Sequence, residues 1–389
     1  MKVAIVAVGY NRKRPLERLI ESLLRADYDN DNVDLIISLD FSEQQDDIIK
    51  MASAISWSHG KKRVVSHQKN LGLRKHIIKC GDLTEEYDAV VIFEDDIIAS
   101  ETFYIYLKEA LSFYENESRL AGISLYSPFI NEMAELPFMP MYNEYDAFFI
   151  QSAQSWGQCW TKRMWSDFKK WYTLNGSTSL QPSNDMPSKI YSWPESSWKK
   201  YFMKYIVETN KYFLYPYVSL STNASEIGHH NKNLSATFQV PLQTGRKKYL
   251  FPKYKDAIFY DVFFEREGLV WSIDGKNHHI CVDLYGTKTT ALNYDFLLTK
   301  KKLSLKKIKS YALTYRPHEA NFIYDEPGDQ IFLYDLTNSN DINIKADRTS
   351  LADANYYSFI PWHTSLLYGV SGVYKYTKRK IAKIMPTKE

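Results

Sequence analysis

Two hydrophobic periods alternate through the first half of the chain. Lys2–Val8 is a short apolar run of strand length, followed by the loop Gly9-Tyr10-Asn11-Arg12. From Pro15, apolar residues recur at Leu16, Leu19, Ile20, Leu23 and Leu24. That spacing predicts one buried helix face, with proline tolerated in the first turn. Val33–Leu39, ending at Asp40, predicts a second strand, and Arg63–His67 a third. Ala89–Phe93 is apolar at every position, as expected of a central parallel strand covered on both faces. It runs directly into Glu94-Asp95-Asp96. Ser100 then serves as a cap for a helix whose stripe is Phe103, Leu107, Ala110, Leu111 and Tyr114. Leu120–Tyr126 predicts another strand.

This alternation implies an α/β fold with an open, mostly parallel sheet and helices on both faces. Ligands of such sheets sit beyond the carboxyl ends of the strands. Arg12, Asp40 and the acidic triplet all follow strands, so they are expected on one rim. Thr178–Ser192, rich in Ser, Pro and Asn, reads as a loop. After Gly245 the character changes. Ala320–Tyr324 reads as a strand, Glu326-Pro327-Gly328-Asp329 as a turn and Gln330–Leu336 as a second strand. The expected division is residues 1–245 as the main domain and 246–389 as a smaller, β-containing α+β region with a basic helical tail.

At 389 residues, with 49 Lys plus Arg against 46 Asp plus Glu, the chain can bury a core but lacks the charge excess of a nucleic-acid binder. Cys80, Cys159 and Cys281 have no metal-ligand spacing and read as reduced, buried thiols of a cytoplasmic protein. No apolar run approaches the ~20 residues of a membrane span.

Glu94-Asp95-Asp96 is the strongest chemical signal. Three consecutive carboxylates repel one another unless a positive charge sits among them. A divalent cation, Mn²⁺ or Mg²⁺, shared with a ligand's phosphates answers that need. The bland alternative is an acidic turn facing the next helix's dipole. Arg12 lies at a helix start, where a guanidinium and backbone amides can receive phosphate or a base carbonyl. Asp40 can accept hydrogen bonds from a base or ribose, or cap the turn after it. Arg74 and Lys75 follow Gly72 in a basic turn that suits a diphosphate or plain solvent. In Ser155-Trp156-Gly157 the indole can stack on a sugar ring and the glycine can admit a ligand to the backbone, while Trp160 and Trp165 read equally as core.

The ordered segments VAIVAVGYNRKRPLERLIESL, IISLDFSE, NLGLRKHI, AVVIFEDDIIASETFYIYL and SWGQCWTKRMW resemble inverting glycosyltransferases of the GT-A fold. The similarity runs over roughly residues 1–235 and is nearest to bacterial family-two-like sugar transferases and the N-acetylglucosaminyltransferase I group. It implies a nucleotide-sugar donor, a UDP-sugar, and a glycan acceptor in bacterial surface polysaccharide or glycoconjugate synthesis. By the same resemblance Asp96 holds the metal, Asp95 the ribose or sugar hydroxyls and Glu94 the donor sugar, with Arg12 and Asp40 framing the base. The family's acidic base falls in the run Trp193–Trp198, which offers Glu195; Asp185 is the competitor. His229-His230 stands where a histidine approaches metal or diphosphate, and at most one of the two should do so. A sugar nucleotidyltransferase would need a glycine-rich loop after the first strand, which VGYNRKRPLERL lacks; a glycan-binding protein without activity would not need the triplet.

The tail carries no acidic residue between Asp353 and Glu389. Lys375, Lys378, Arg379, Lys380, Lys383 and Lys388 alternate there with Leu366, Leu367, Val370, Val373, Tyr374, Ile381 and Ile384. This mixture suits a helix lying on an anionic membrane surface, or one docked on the protein's own core.

Overall fold

The computed structural model describes residues 1–225, 236–273, 275–291, 293–337, 363, 366–367, 369–374 and 377. Met1–Ala346 forms one compact unit and Asp347–Glu389 another. The first unit opens with β1 (Val3–Gly9), α1 (Lys13–Leu24), β2 (Val33–Leu39), α2 (Gln45–Ala54), β3 (Lys62–Ser66) and α3 (Leu73–Asp82). There follow β4 (Ala89–Glu94), β5 (Ile97–Ala99), α4 (Phe103–Phe113) and β6 (Leu120–Ser124). A two-rung hairpin, β7 (Ile130–Asn131) and β8 (Leu136–Pro137), precedes β9 (Ala147–Ile150), β10 (Gln158–Thr161) and α5 (Lys162–Asn175). Then come α6 (Ser188–Tyr191), α7 (Trp198–Glu208), β11 (Tyr212–Pro216), β12 (Ser221–Asn223) and β13 (Phe259–Tyr260).

The large sheet has the order β13-β9-β11-β6-β10-β4-β1-β2-β3. Strands β1 to β4 are mutually parallel where they pair, with Gly9 level with Leu39 and Val8 with Glu94. This register brings the loops after β1, β2 and β4 to one end. Every residue of β1 and β2 is buried, which is why these strands read as unbroken apolar runs. Leu16, Leu19, Ile20 and Leu23 of α1 cover the sheet; Leu24, turned about 100° from Leu23, is exposed. Ser100 acts three residues ahead of α4, its Oγ accepting the Thr102 amide at 3.2 Å. The antiparallel β10 is inserted between β4 and β6 and brings the Trp156 loop beside β4.

Beyond residue 245 the chain first completes this sheet, since β13 pairs with β9 at its edge. A second sheet then forms from β14 (Val270–Ile273), β15 (Lys276–Asp283), β16 (Phe296–Thr299), β17 (Lys306–Tyr311) and β18 (Ile331–Asp335), in the order β14-β15-β16-β18-β17. It is the smaller β region expected at this end. The expected strand at 320–324 is instead a short helix, α8 (Ala320–Ile323). Buried Asn321 causes the difference: its side chain takes the amides of Thr314 and Tyr315 and donates to the carbonyls of Tyr315 and His318, folding the segment back on itself. The three cysteines are free and buried. No helix among the described residues is long and apolar enough to cross a membrane. In the second unit the described residues 366–367 and 369–374 are helical, and Leu366, Leu367, Val370, Val373 and Tyr374 are exposed.

Helices α3 and α5 meet through Gly81, where an added Cβ would lie 2.2 Å from the Trp165 ring. That ring is held by its Nε1 donating to Asp82 at 2.8 Å, so it cannot easily retreat. Gly81→Ala should therefore lower stability by about 1–3 kcal/mol in urea unfolding. An unchanged midpoint would show that the indole moves aside freely.

Candidate active site

The loop after β1 places Arg12 directly over the end of β4. Its Nε donates to Asp95 Oδ2 at 3.1 Å and its Nη2 to Asp95 Oδ1, while Nη2 lies 3.8 Å from Asp96 Oδ2. Asp95 is buried; the Asp96 side chain keeps 24% of its surface. Burial, then the charges of Asp96 and Asp95, push the Glu94 carboxyl up to about 8, against the pull of Arg12 and Lys199. The triplet thus carries more negative charge than Arg12 and Lys199 offset, and Glu94 answers by keeping a proton at neutral pH.

Asp40 is buried and its carboxylate accepts the amides of Phe41 (2.9 Å), Leu71 (2.8 Å) and Gly72 (3.0 Å). Of its two expected roles this is the structural one. It bolts the 70–72 loop to β2 and sets the start of α3. Beneath it Ser38 Oγ and His76 Nε2 lie 2.8 Å apart, and burial draws His76 down to about 4, so the imidazole is neutral. Arg74 leaves this loop with its guanidinium 4.7 Å from the Tyr201 ring centre and with a buried Nη1 that has no hydrogen-bond partner. Lys75 is exposed.

Trp156 is half-buried between Tyr126 and Phe238, with ring centres 4.7 Å from each. Gly157 has φ +93°, and an added Cβ would meet Phe93, Ser221 and Leu125 at 3.0–3.3 Å. The space that its missing side chain leaves is filled by the protein, so it shapes the turn and does not open the backbone to a ligand. Trp160 and Trp165 are core residues.

The two carboxylates proposed from sequence as bases are each tied to a lysine. Glu195 accepts from Lys200 Nζ at 2.7 Å and from the Tyr201 hydroxyl, and these bonds hold its carboxyl below the usual range. Burial raises Asp185, but Lys204, Ser183 and Tyr191 outweigh it and leave it lowered. Arg74 and Glu195 share Tyr201, so the structure joins the α3 loop to the segment before α7. His229 and His230 lie outside the described residues.

Sequence reading passed over Lys199 and Glu132. Lys199 is 9% exposed, pairs with Glu132 at 3.2 Å and lies close enough to Glu94 to lower its carboxyl. A signal was present: Lys199-Lys200 stand in the first turn of α7, where the helix dipole repels cations. Two lysines at that position need anions, which Glu132 and Glu195 supply. Tyr10 and Phe41, exposed just beyond β1 and β2, were also missed.

Among the described residues no three His, Cys, Asp or Glu side chains by themselves form a metal-binding group. The excess negative charge and hard oxygens nevertheless suit a cation that takes its remaining ligands from phosphate oxygens.

No family model matches the sequence, and no curated protein matches it. Solved structures that align with it include S. aureus TarS 1-349, 15% identical at a TM-score of 0.37 and covering 58% of this chain and 61% of that one. GalNAc-T7 with UDP, GalNAc and Mn²⁺ is 11% identical at a TM-score of 0.40, covering 56% and 42%. The mannosyltransferase PcManGT from Pyrobaculum calidifontis, in complex with GDP-Man and Mn²⁺, is 10% identical at 0.31, covering 44% and 46%. The matched part is thus about three fifths of the TarS chain and under half of the other two. A likeness this slight carries no argument about activity, which has to come from the residues of this chain.

Arg12→Met would leave Asp95 buried without its bidentate partner. Its cost should be on the order of 2 kcal/mol in urea unfolding. Adding Asp95→Asn should recover most of that loss, because the two changes act on one contact. Strictly additive losses would refute the coupling.

Proposed function

We propose that this protein is a GT-A-type glycosyltransferase that moves a sugar from a nucleoside diphosphate donor, a UDP-sugar, to a glycan hydroxyl with inversion. The observation that carries this reading is the under-compensated triplet at the end of β4, faced by Arg12. In this reading residues 1–245 hold donor and catalytic groups, and residues 246–389 add the sheet edge, the second sheet and the tail.

Asp96, the more accessible aspartate, would hold Mn²⁺ or Mg²⁺ together with the donor's phosphates, with one of His229 and His230 as a further candidate. The cation supplies neutralisation of the charge that builds on the leaving diphosphate. Arg12 holds the Asp95 carboxylate in place for ribose or sugar hydroxyls. Glu94, ionised once positive charge arrives, accepts a hydrogen bond from a donor-sugar hydroxyl. Arg74, with one unpartnered nitrogen, and Lys75 are the proposed phosphate contacts. Tyr10 and Phe41 offer rings for the base beside Asp40, and Trp156 offers a wall for the sugar. Glu195 is the proposed base, with Asp185 the alternative; either must leave its lysine before it can take a proton from the acceptor.

Asp96→Asn should leave the circular dichroism and melting temperature near wild type while lowering metal-dependent UDP release by about 10²-fold or more. Turnover close to wild type would sink the assignment.

The exposed apolar residues of the tail helix, followed in sequence by lysines, support a peripheral contact with anionic lipid on the cytoplasmic face. The lysines from 375 onward lie outside the described residues. Full-length protein should sediment with anionic but not neutral liposomes, and a chain ending at Thr364 should not. Equal sedimentation of both forms would exclude the tail as the anchor.

A further inference from the structure

A cavity of about 630 Å³ lies where the β11–β13 edge of the large sheet meets the second sheet. It is remote from the acidic triplet. Five strand steps separate β13 from β4, roughly 24 Å at ordinary strand spacing. The ends are opposite as well. β11 runs in the direction of β4, and Tyr212, which lines the cavity, begins β11, whereas Glu94 ends β4.

The lining mixes charged side chains with tyrosine hydroxyls and rings. Asp261 and Lys288 form an ion pair at 2.5 Å, so their charges cancel. Arg266 and Glu267 bring one further charge of each sign, and Lys255 is exposed at the mouth. The lining thus carries a small positive excess, part of it on Lys255, which is exposed to water. Arg266 uses Nη1 on the Phe259 carbonyl at 3.3 Å, and its Nε is buried without a hydrogen-bond partner. Glu267 receives the Tyr212 hydroxyl on Oε2 at 2.7 Å, and among the described residues no hydrogen bond reaches its other oxygen. Burial and Asp261 push this carboxyl up to about 7, which lets it give or accept a proton near neutrality. Tyr294, 40% exposed, adds an open ring at the wall. A saccharide ring meets all of these together. Its hydroxyls donate and accept, its carbon face covers an aromatic ring, and one or two hexoses fit the volume.

We propose that this cavity is a second carbohydrate site, holding one or two neutral sugar units apart from the place of chemistry. The choice of sugar among polyols draws on the glycosyl-transfer reading, but binding here does not depend on turnover. The test is saturation-transfer NMR on the full chain with glucose, galactose, N-acetylglucosamine and glucuronate as probes. At least one neutral sugar should bind, about tenfold more weakly to Arg266→Met and also more weakly to Tyr294→Ala, whose side chain is exposed enough to change without unfolding. Asp96→Asn should bind it normally. That variant separates the two readings: if wild-type UDP release proves absent while sugar binding persists, only the catalytic reading falls. Absence of signal from every neutral sugar, preference for glucuronate alone, or loss confined to Asp96→Asn would each overturn the second site.

Discussion

Charge compensation at the end of β4 organises the rim of this molecule. Glu94, Asp95 and Asp96 emerge from a strand whose preceding residues are fully buried, so the backbone cannot swing them apart into water. Each is balanced differently. Asp95 is clamped by Arg12, Glu94 keeps its proton with Lys199 nearby, and Asp96 stays partly accessible with Arg12 3.8 Å away. The clamp fixes the loop after β1 against β4. Lys199 in turn is anchored by Glu132, so α7 and the 130–137 hairpin are drawn toward the same carboxylates. A site of this kind is poised, because a bound cation would offset the burial and the neighbouring charges that together hold a proton on Glu94.

Around that centre several buried polar groups are satisfied within the protein. Asp40 spends its carboxylate on three backbone amides and so fixes the turn from which α3 and Arg74 start. Ser221 donates to the Trp156 carbonyl and crowds Gly157, which fixes the turn that carries the indole. Both contacts convert buried polar groups into positioning devices, consistent with the cost of leaving such groups unpaired. The far edge of the sheet differs: there Arg266 retains a buried donor that the protein itself does not use.

The α/β class, the parallel strands β1 to β4, and the appearance of Arg12, Asp40 and the triplet at strand ends are legible in the order of residues alone. These follow from local rules: uninterrupted apolar runs make doubly covered strands, helical spacing makes one buried face, and parallel strands send their following loops to one rim. Only the tertiary structure decided what each group does there. Asp40 could be read as a ligand or a brace, and three amides distant in the chain or adjacent to it made it a brace. Gly157 looked like an opening until Phe93, Leu125 and Ser221 filled its space. The helix at 320–323 replaced a strand because Asn321 found four backbone partners in its own fold. Lys199 stayed hidden because its anion, Glu132, lies far from it in the chain, and Glu195 gained its lysine and tyrosine only when α7 formed. Hydrogen bonds and charge pairs act over a few ångströms between residues far apart in sequence, so periodicity can place a side chain on a rim but cannot say which partner it meets there.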